Sequence, residues 1–120
     1  EKYHNIHFIA CHILVPKQLE QPGWAEELKS IAAGNTWFDF AAIPYNNMQE
    51  YPYPTAAKLV EQAAEIVGVD RLMWGSDAPF VLSYATYAQL RDYIRESGVF
   101  GDGDLRKLYG ENAVQAYRIR

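Results

Sequence analysis

A chain of 120 residues, 49% apolar and 22% charged, suits one domain or part of a larger one. It is too apolar for a disordered segment, which combines low hydrophobicity with high net charge. Eleven Lys and Arg against fifteen Asp and Glu give a net charge of −4, with no cationic cluster of the kind that phosphate backbones attract, so no nucleic-acid partner is expected. The longest apolar run, Phe8 to Val15, is broken by His12 and falls far short of the ~20 residues a bilayer crossing takes; no membrane partner is expected either. A lone cysteine, Cys11, excludes an internal disulfide and a thiolate metal cluster. Together with the lack of an export leader, it leads to the expectation of a reducing, cytoplasmic setting.

In chain order, residues 6–12 (Ile-His-Phe-Ile-Ala-Cys-His) form a short strand-like run, rich in β-branched and aromatic residues. Pro16 and Pro22-Gly23 bracket a loop. Trp24, Leu28, Ile31 and Ala32 recur at the three-to-four spacing of an amphipathic helix, which Gly34-Asn35 ends. A second strand is expected over Thr36–Ile43, stopped by Pro44, and Tyr45–Pro54 reads as a loop. Thr55 is the expected N-cap of a helix reaching about Val67, with Ala56, Leu59, Val60, Ala63, Ala64 and Val67 on one face. After Gly68 come a third strand over Arg71–Ser76, a loop through Asp77 and Pro79, a helix from Thr86 to Ser97, and a helical end from Asp104 to Arg118 interrupted near Gly110. Strand–helix alternation at this pitch makes parallel βαβ units, so the fold class is α/β with three consecutive βα units and a C-terminal helix, forming one structural unit over 1–120.

Reactive groups in such folds sit at the C-terminal ends of strands. His12 ends the first strand and Asp77 the third. Alternation along a strand puts Phe8, Ala10 and His12 on one face and Met73, Gly75 and Asp77 on one face. A His and an Asp on one mouth suit metal ligation or proton transfer at a metal-bound water. On spacing alone both also read as structural, His12 as a hydrogen-bonded strand end and Asp77 as a turn former. Asp39 shares a face with Trp37 and Ala41; pointing inward, it would need a partner, and a structural ion pair is favoured over a catalytic role. Tyr45, Tyr51 and Tyr53 lie on the loop after the second strand, as pocket wall or plain packing. Cys11 is expected to face the helices as a small buried hydrophobe.

The stretch Asp70-Arg71-Leu72-Met73-Trp74-Gly75-Ser76-Asp77-Ala78-Pro79 resembles the last-strand motif of the amidohydrolase superfamily, in its amidohydrolase-related branch of metal-dependent hydrolases and decarboxylases. Glu1 to His12 resembles the run into that family's sixth barrel strand, Asn35 to Ala42 its seventh, and Leu108 to Val114 its closing Gly-x-Asn-Ala helix. The resemblance thus covers nearly the whole chain in the family's order. It implies that the chain is the last part, strands six to eight, of a (β/α)8 TIM barrel. By the same resemblance Asp77 is the metal-binding aspartate that exchanges protons with the metal-bound water. His12 is the histidine that binds substrate or polarises the leaving group; Tyr45 is expected to bind substrate on a different ground, its place on the loop after the second strand. The implied cofactor is a divalent ion, zinc first and manganese second, in the full-length parent, and the implied partner a small-molecule substrate.

Two departures stand out. The family has a Gly shortly after the sixth-strand His, where this chain has Ile13-Leu14, at a cost in backbone freedom. The family's first-strand His-x-His and fifth-strand His have no counterpart here, and one carboxylate does not hold a catalytic zinc, which takes about three protein ligands. This polypeptide alone is therefore expected to be metal-free and inactive. The second reading is a non-catalytic α/β module with a binding or structural role that self-associates as a homo-oligomer through its open sheet.

Overall fold

In a computed structural model, which describes residues 4–120, three strands form one parallel sheet in the order β1 (Phe8–Ala10), β2 (Thr36–Asp39), β3 (Leu72–Met73). Ile9 stands opposite Trp37, and Asp39 opposite Met73. Helix α1 (Trp24–Ala32) connects β1 to β2. The short α2 (Ile43–Asn46) and the long α3 (Pro54–Val67) connect β2 to β3. The chain then runs through α4 (Tyr87–Ser97), α5 (Asp102–Arg106), one π-helical turn (Lys107–Glu111) and α6 (Asn112–Ala116). The three-residue start of the run resembling a sixth barrel strand, Glu1 to Tyr3, lies outside the described residues.

The strands are shorter than their apolar runs suggest, each for a local reason. β1 stops at Ala10 because His12, Ile13, Leu14 and Val15 all take positive φ, between 41° and 62°. β2 stops at Asp39 rather than Ile43, since Ala42 at φ 57° turns the chain into α2, with Pro44 in the first turn where its missing N–H does no harm. The segment read as a loop over Tyr45–Pro54 therefore begins as helix. Beyond Met73 the third strand has no strand partner: Trp74 N–H donates to the Leu108 carbonyl at 2.8 Å.

Helix ends follow the sequence at α4 but not at α3, and the C-terminal helical segment begins at Asp102, ahead of the expected Asp104. Thr86 caps α4 in a reciprocal capping box with Gln89. α3, by contrast, starts at Pro54 after Tyr53, so Thr55 lies inside the helix. Its orphan N–H groups are met from outside: Gln49 Oε1 accepts from Thr55 N–H at 2.8 Å and Ala56 N–H at 3.3 Å, while Gln49 Nε2 donates to Thr55 Oγ1.

One face of the sheet carries the main core, where Phe38 and Leu72 meet Leu28 of α1, Leu59, Val60 and Ala63 of α3, and Leu90 and Ile94 of α4. Burying each of these side chains other than Ala63 stabilises by about 1.5–3 kcal/mol. On the other face Ile9, Trp37 and Met73 pack against Ala113 and Ala116 of α6. Ile9, and not Ala10, thus shares the face of Trp37 and Met73, while Ala10 packs against the helix-side core. This reverses the face expected for Phe8 and Ala10. Asn112, 1% exposed, ties the closing helix to the sheet: its Nδ2 donates to the Val69 and Leu72 carbonyls, both at 2.7 Å.

Asn112→Leu keeps the branched shape of the side chain but strips the Leu72 carbonyl of its side-chain donor and leaves the Val69 carbonyl only the Leu72 N–H. It should lower the unfolding free energy by about 2–4 kcal/mol, read from urea titrations; a loss below ~0.5 kcal/mol would mean that the amide contributes little to the closure.

Candidate active site at the strand ends

The C-terminal ends of the strands converge on a pocket of about 260 Å³, whose walls include Cys11, His12, Asp39, Gly75, Asp77 and Tyr117. A larger depression of about 680 Å³, bounded by Arg95, Asp102, Arg106 and Tyr109, contains none of the strand-end residues.

His12 reaches the pocket through a left-handed turn and not by strand alternation. Four consecutive non-glycine residues at positive φ, Ile13 and Val15 among them, store strain of about 1 kcal/mol or more apiece. The surroundings hold the turn from several sides. Val15 N–H donates to the His12 carbonyl at 2.8 Å, Trp24 Nε1–H donates to the Ile13 carbonyl at 2.7 Å, and Asn47 Nδ2 donates to the Pro16 carbonyl at 3.0 Å. Ile13 itself is fully buried. The glycine missing from the family pattern is therefore missing where the backbone enters the region glycine favours.

The His12 ring is fixed as well. Its Nδ1 lies 2.9 Å from the Ala41 carbonyl oxygen. A carbonyl only accepts, so Nδ1 carries the proton and the neutral ring keeps its lone pair at Nε2. Asp39 Oδ1 accepts from His12 N–H at 2.9 Å and from Ala41 N–H at 3.1 Å, and stands 3.7 Å from His12 Nδ1. Asp39 points inward as its alternation with Trp37 requires, and its partners are backbone N–H groups more than an ion pair.

Asp77 sits exposed at φ 55° on the wall opposite the β1 end. The turn before Pro79 is held by Ser76, whose Oγ accepts from Ala78 N–H at 3.2 Å. The Asp77 carboxylate makes no hydrogen bond or ion pair among the described residues and stays available to the pocket. Cys11 overturns its expected role: it is exposed and lines the same pocket. The negative charge of Asp39 first, then burial, pushes its thiol up from its ordinary range, so the thiol stays protonated. Cys11 and Tyr117 were legible as pocket residues only from the turn geometry and the return of α6, neither of which leaves a periodic signal.

Tyr45 is not on this wall. It stands on α2, edge-on to Phe80 and Tyr84 at 5.1 and 5.7 Å between ring centres, where it joins the loop after β2 to the loop after β3. His7 is committed elsewhere, with Nδ1 2.9 Å from the Ala116 carbonyl and its ring against Trp37. Among the described residues no three His, Cys, Asp or Glu side chains come together as a group that could hold a metal ion. No described helix is long and apolar enough to cross a membrane.

The strand ends also approach closely. A Cβ on Gly75 would lie 3.1 Å from Ala41 Cβ and 3.8 Å from Asp39 Cβ. Gly75 thus lets β3 sit against the residue whose carbonyl holds the His12 ring.

The sequence matches the amidohydrolase family over residues 1–119. No curated protein matches it. Among solved structures, the fold resembles an amidohydrolase from Burkholderia multivorans with bound HEPES, with a TM-score of 0.77 at 18% identity over 99% of this chain and 47% of that one. A structure of an amidohydrolase from the same organism with bound Zn gives a TM-score of 0.75 at 18% identity, over 99% of this chain and 46% of that one. A putative 2-pyrone-4,6-dicarboxylic acid hydrolase from Pseudomonas putida gives 0.74 at 22% identity, over 95% of this chain and 44% of that one. The chain thus spans just under half the length of these structures.

Gly75→Ala should destabilise by about 1–3 kcal/mol, and Ala41→Gly in the same chain should recover part of that loss. Urea midpoints of the single and double variants decide it: a neutral Gly75→Ala would mean that the strand ends have room to spare.

Proposed function

The chain belongs to the amidohydrolase family, and from that premise we propose that it is the C-terminal part of a (β/α)8-barrel hydrolase or decarboxylase acting on a small carbonyl or carboxylate compound. In this reading residues 1–120 are a single unit, barrel strands six to eight with the closing helix. The observation that carries it is that His12 and Asp77, from the ends of the first and third strands, line one pocket.

Asp77 is one ligand of a metal site and no more; the described residues do not make a complete one. A divalent ion, zinc or manganese, held with histidines from the rest of the barrel would supply a water of lowered pKa. What this chain contributes is a carboxylate and an imidazole. Asp77, free of the turn, accepts a proton from the attacking water and returns it to the leaving group. His12, with Nδ1 held by Ala41, offers Nε2 to the substrate. It accepts a hydrogen bond when neutral and donates one to a carbonyl or leaving group when protonated. We extend the proposal to Tyr45 as a substrate-binding residue, through the aromatic group that joins the two loops. A cytoplasmic enzyme with a small-molecule substrate, no nucleic-acid or membrane partner and a homo-oligomeric state complete the reading. Residues 1–120 alone are expected to be inactive.

In the complete enzyme Asp77→Asn should lower kcat by about 10²–10⁴-fold with the fold retained. His12→Ala should lower kcat/KM while leaving metal content, measured by elemental analysis, near that of the parent. Near-normal turnover in Asp77→Asn would remove that residue from the mechanism.

A further inference from the structure

We propose that Asp39 is a positioning residue for His12, holding both the strained turn that carries the imidazole and the carbonyl that fixes its tautomer. This rests on the hydrolase reading given above, since it names the residue that aims the proposed substrate-binding histidine.

The argument is geometric. One oxygen, Asp39 Oδ1, accepts from His12 N–H at 2.9 Å and from Ala41 N–H at 3.1 Å. The first bond holds the residue at which the backbone turns left-handed, with His12 at φ 57° and Ile13 at φ 41°. The second holds the residue whose carbonyl takes the ring proton, at 2.9 Å from Nδ1. Backbone and ring of His12 are thus referred to a single atom on the neighbouring strand. At 3.7 Å from Nδ1, Oδ1 is beyond hydrogen-bond reach of the ring, so the Nδ1 proton goes to Ala41 and Nε2 is left to the pocket. Without Asp39, no other described side chain bonds the His12 N–H, and the residues at positive φ have one restraint fewer. A ring released from Ala41 exchanges its proton between the two nitrogens and no longer meets a substrate with a fixed lone pair.

The test uses the complete protein with ¹⁵N-labelled histidine, at a pH where the rings are neutral. His12 should show a protonated Nδ1 and a bare Nε2. Asp39→Asn keeps an acceptor oxygen for both N–H groups and should preserve that signature, with activity within a few-fold of the parent. Asp39→Ala should give a mixture of His12 tautomers, with kcat/KM reduced by about 10–100-fold. His7, whose Nδ1 is held by the Ala116 carbonyl, should be unchanged and so reports an intact fold. Should Asp39→Ala fail to fold, Asp39→Ser, whose hydroxyl is too short to reach both N–H groups, carries the same expectation. A single Nδ1–H tautomer of His12 surviving in a folded Asp39→Ala or Asp39→Ser protein overturns the proposal whatever the activity. Absence of hydrolase and decarboxylase activity in the parent itself would count against the functional reading and leave the tautomer result standing.

Discussion

A carboxylate oxygen on β2 that receives two backbone N–H groups organises the C-terminal end of this sheet. Each bond from an amide to an ionised carboxylate contributes more than a neutral one, of the order of 1.5–3 kcal/mol, enough to oppose the strain of a turn that leaves its strand in a left-handed sense. The bond from His12 N–H to Asp39 converts the end of β1 from a continuing strand, which would carry Cys11 inward and His12 toward the helices, into a turn that delivers both to one mouth. Everything proposed of the chemistry depends on that reversal.

The rest of the fold serves as a platform for it. Phe38 and Leu72, buried against α1, α3 and α4, hold the sheet in place, and Gly75 admits β3 close to Ala41, so the Asp77 turn and the His12 turn face a common space. On the other side of β3, Leu108 and Asn112 take up Trp74 N–H and the Leu72 carbonyl, which joins the closing helical segment to the strand whose end carries Asp77. The π-helical turn at Lys107–Glu111 contains the carbonyl of the first bond, and Asn112, which makes the second, follows it directly.

The element order was legible in the sequence because apolar spacing and punctuation agree: Leu28 and Leu59 fall on buried helix faces, and Gly68 and Thr86 stand at helix ends. Strand lengths were not, since a strand ends where a partner ends or a dihedral changes, and neither leaves a mark in composition. The faces of β1 were misread for the same reason. Alternation predicted that His12 follows Ala10, while the positive φ values of His12 to Val15, carried by residues that disfavour them, overrode it. Thr55 looked like a cap because caps are read locally, and Gln49 supplied the acceptor from six residues upstream. In the pocket, His12 and Asp77 were visible as strand-end residues, whereas Cys11 was assigned the wrong side and Asp39 emerged as the hub only once its two N–H donors could be named.

The central claim is that Asp77 and His12 address one reacting centre. A crystal structure of the complete protein grown with zinc, with anomalous differences collected at the zinc edge, tests it most directly. The account predicts a peak about 2.0–2.2 Å from an Asp77 carboxylate oxygen, in a cavity into which His12 Nε2 also opens. A zinc peak bound away from Asp77, or an Asp77 carboxylate facing bulk solvent on the far side of its turn from His12, would contradict it.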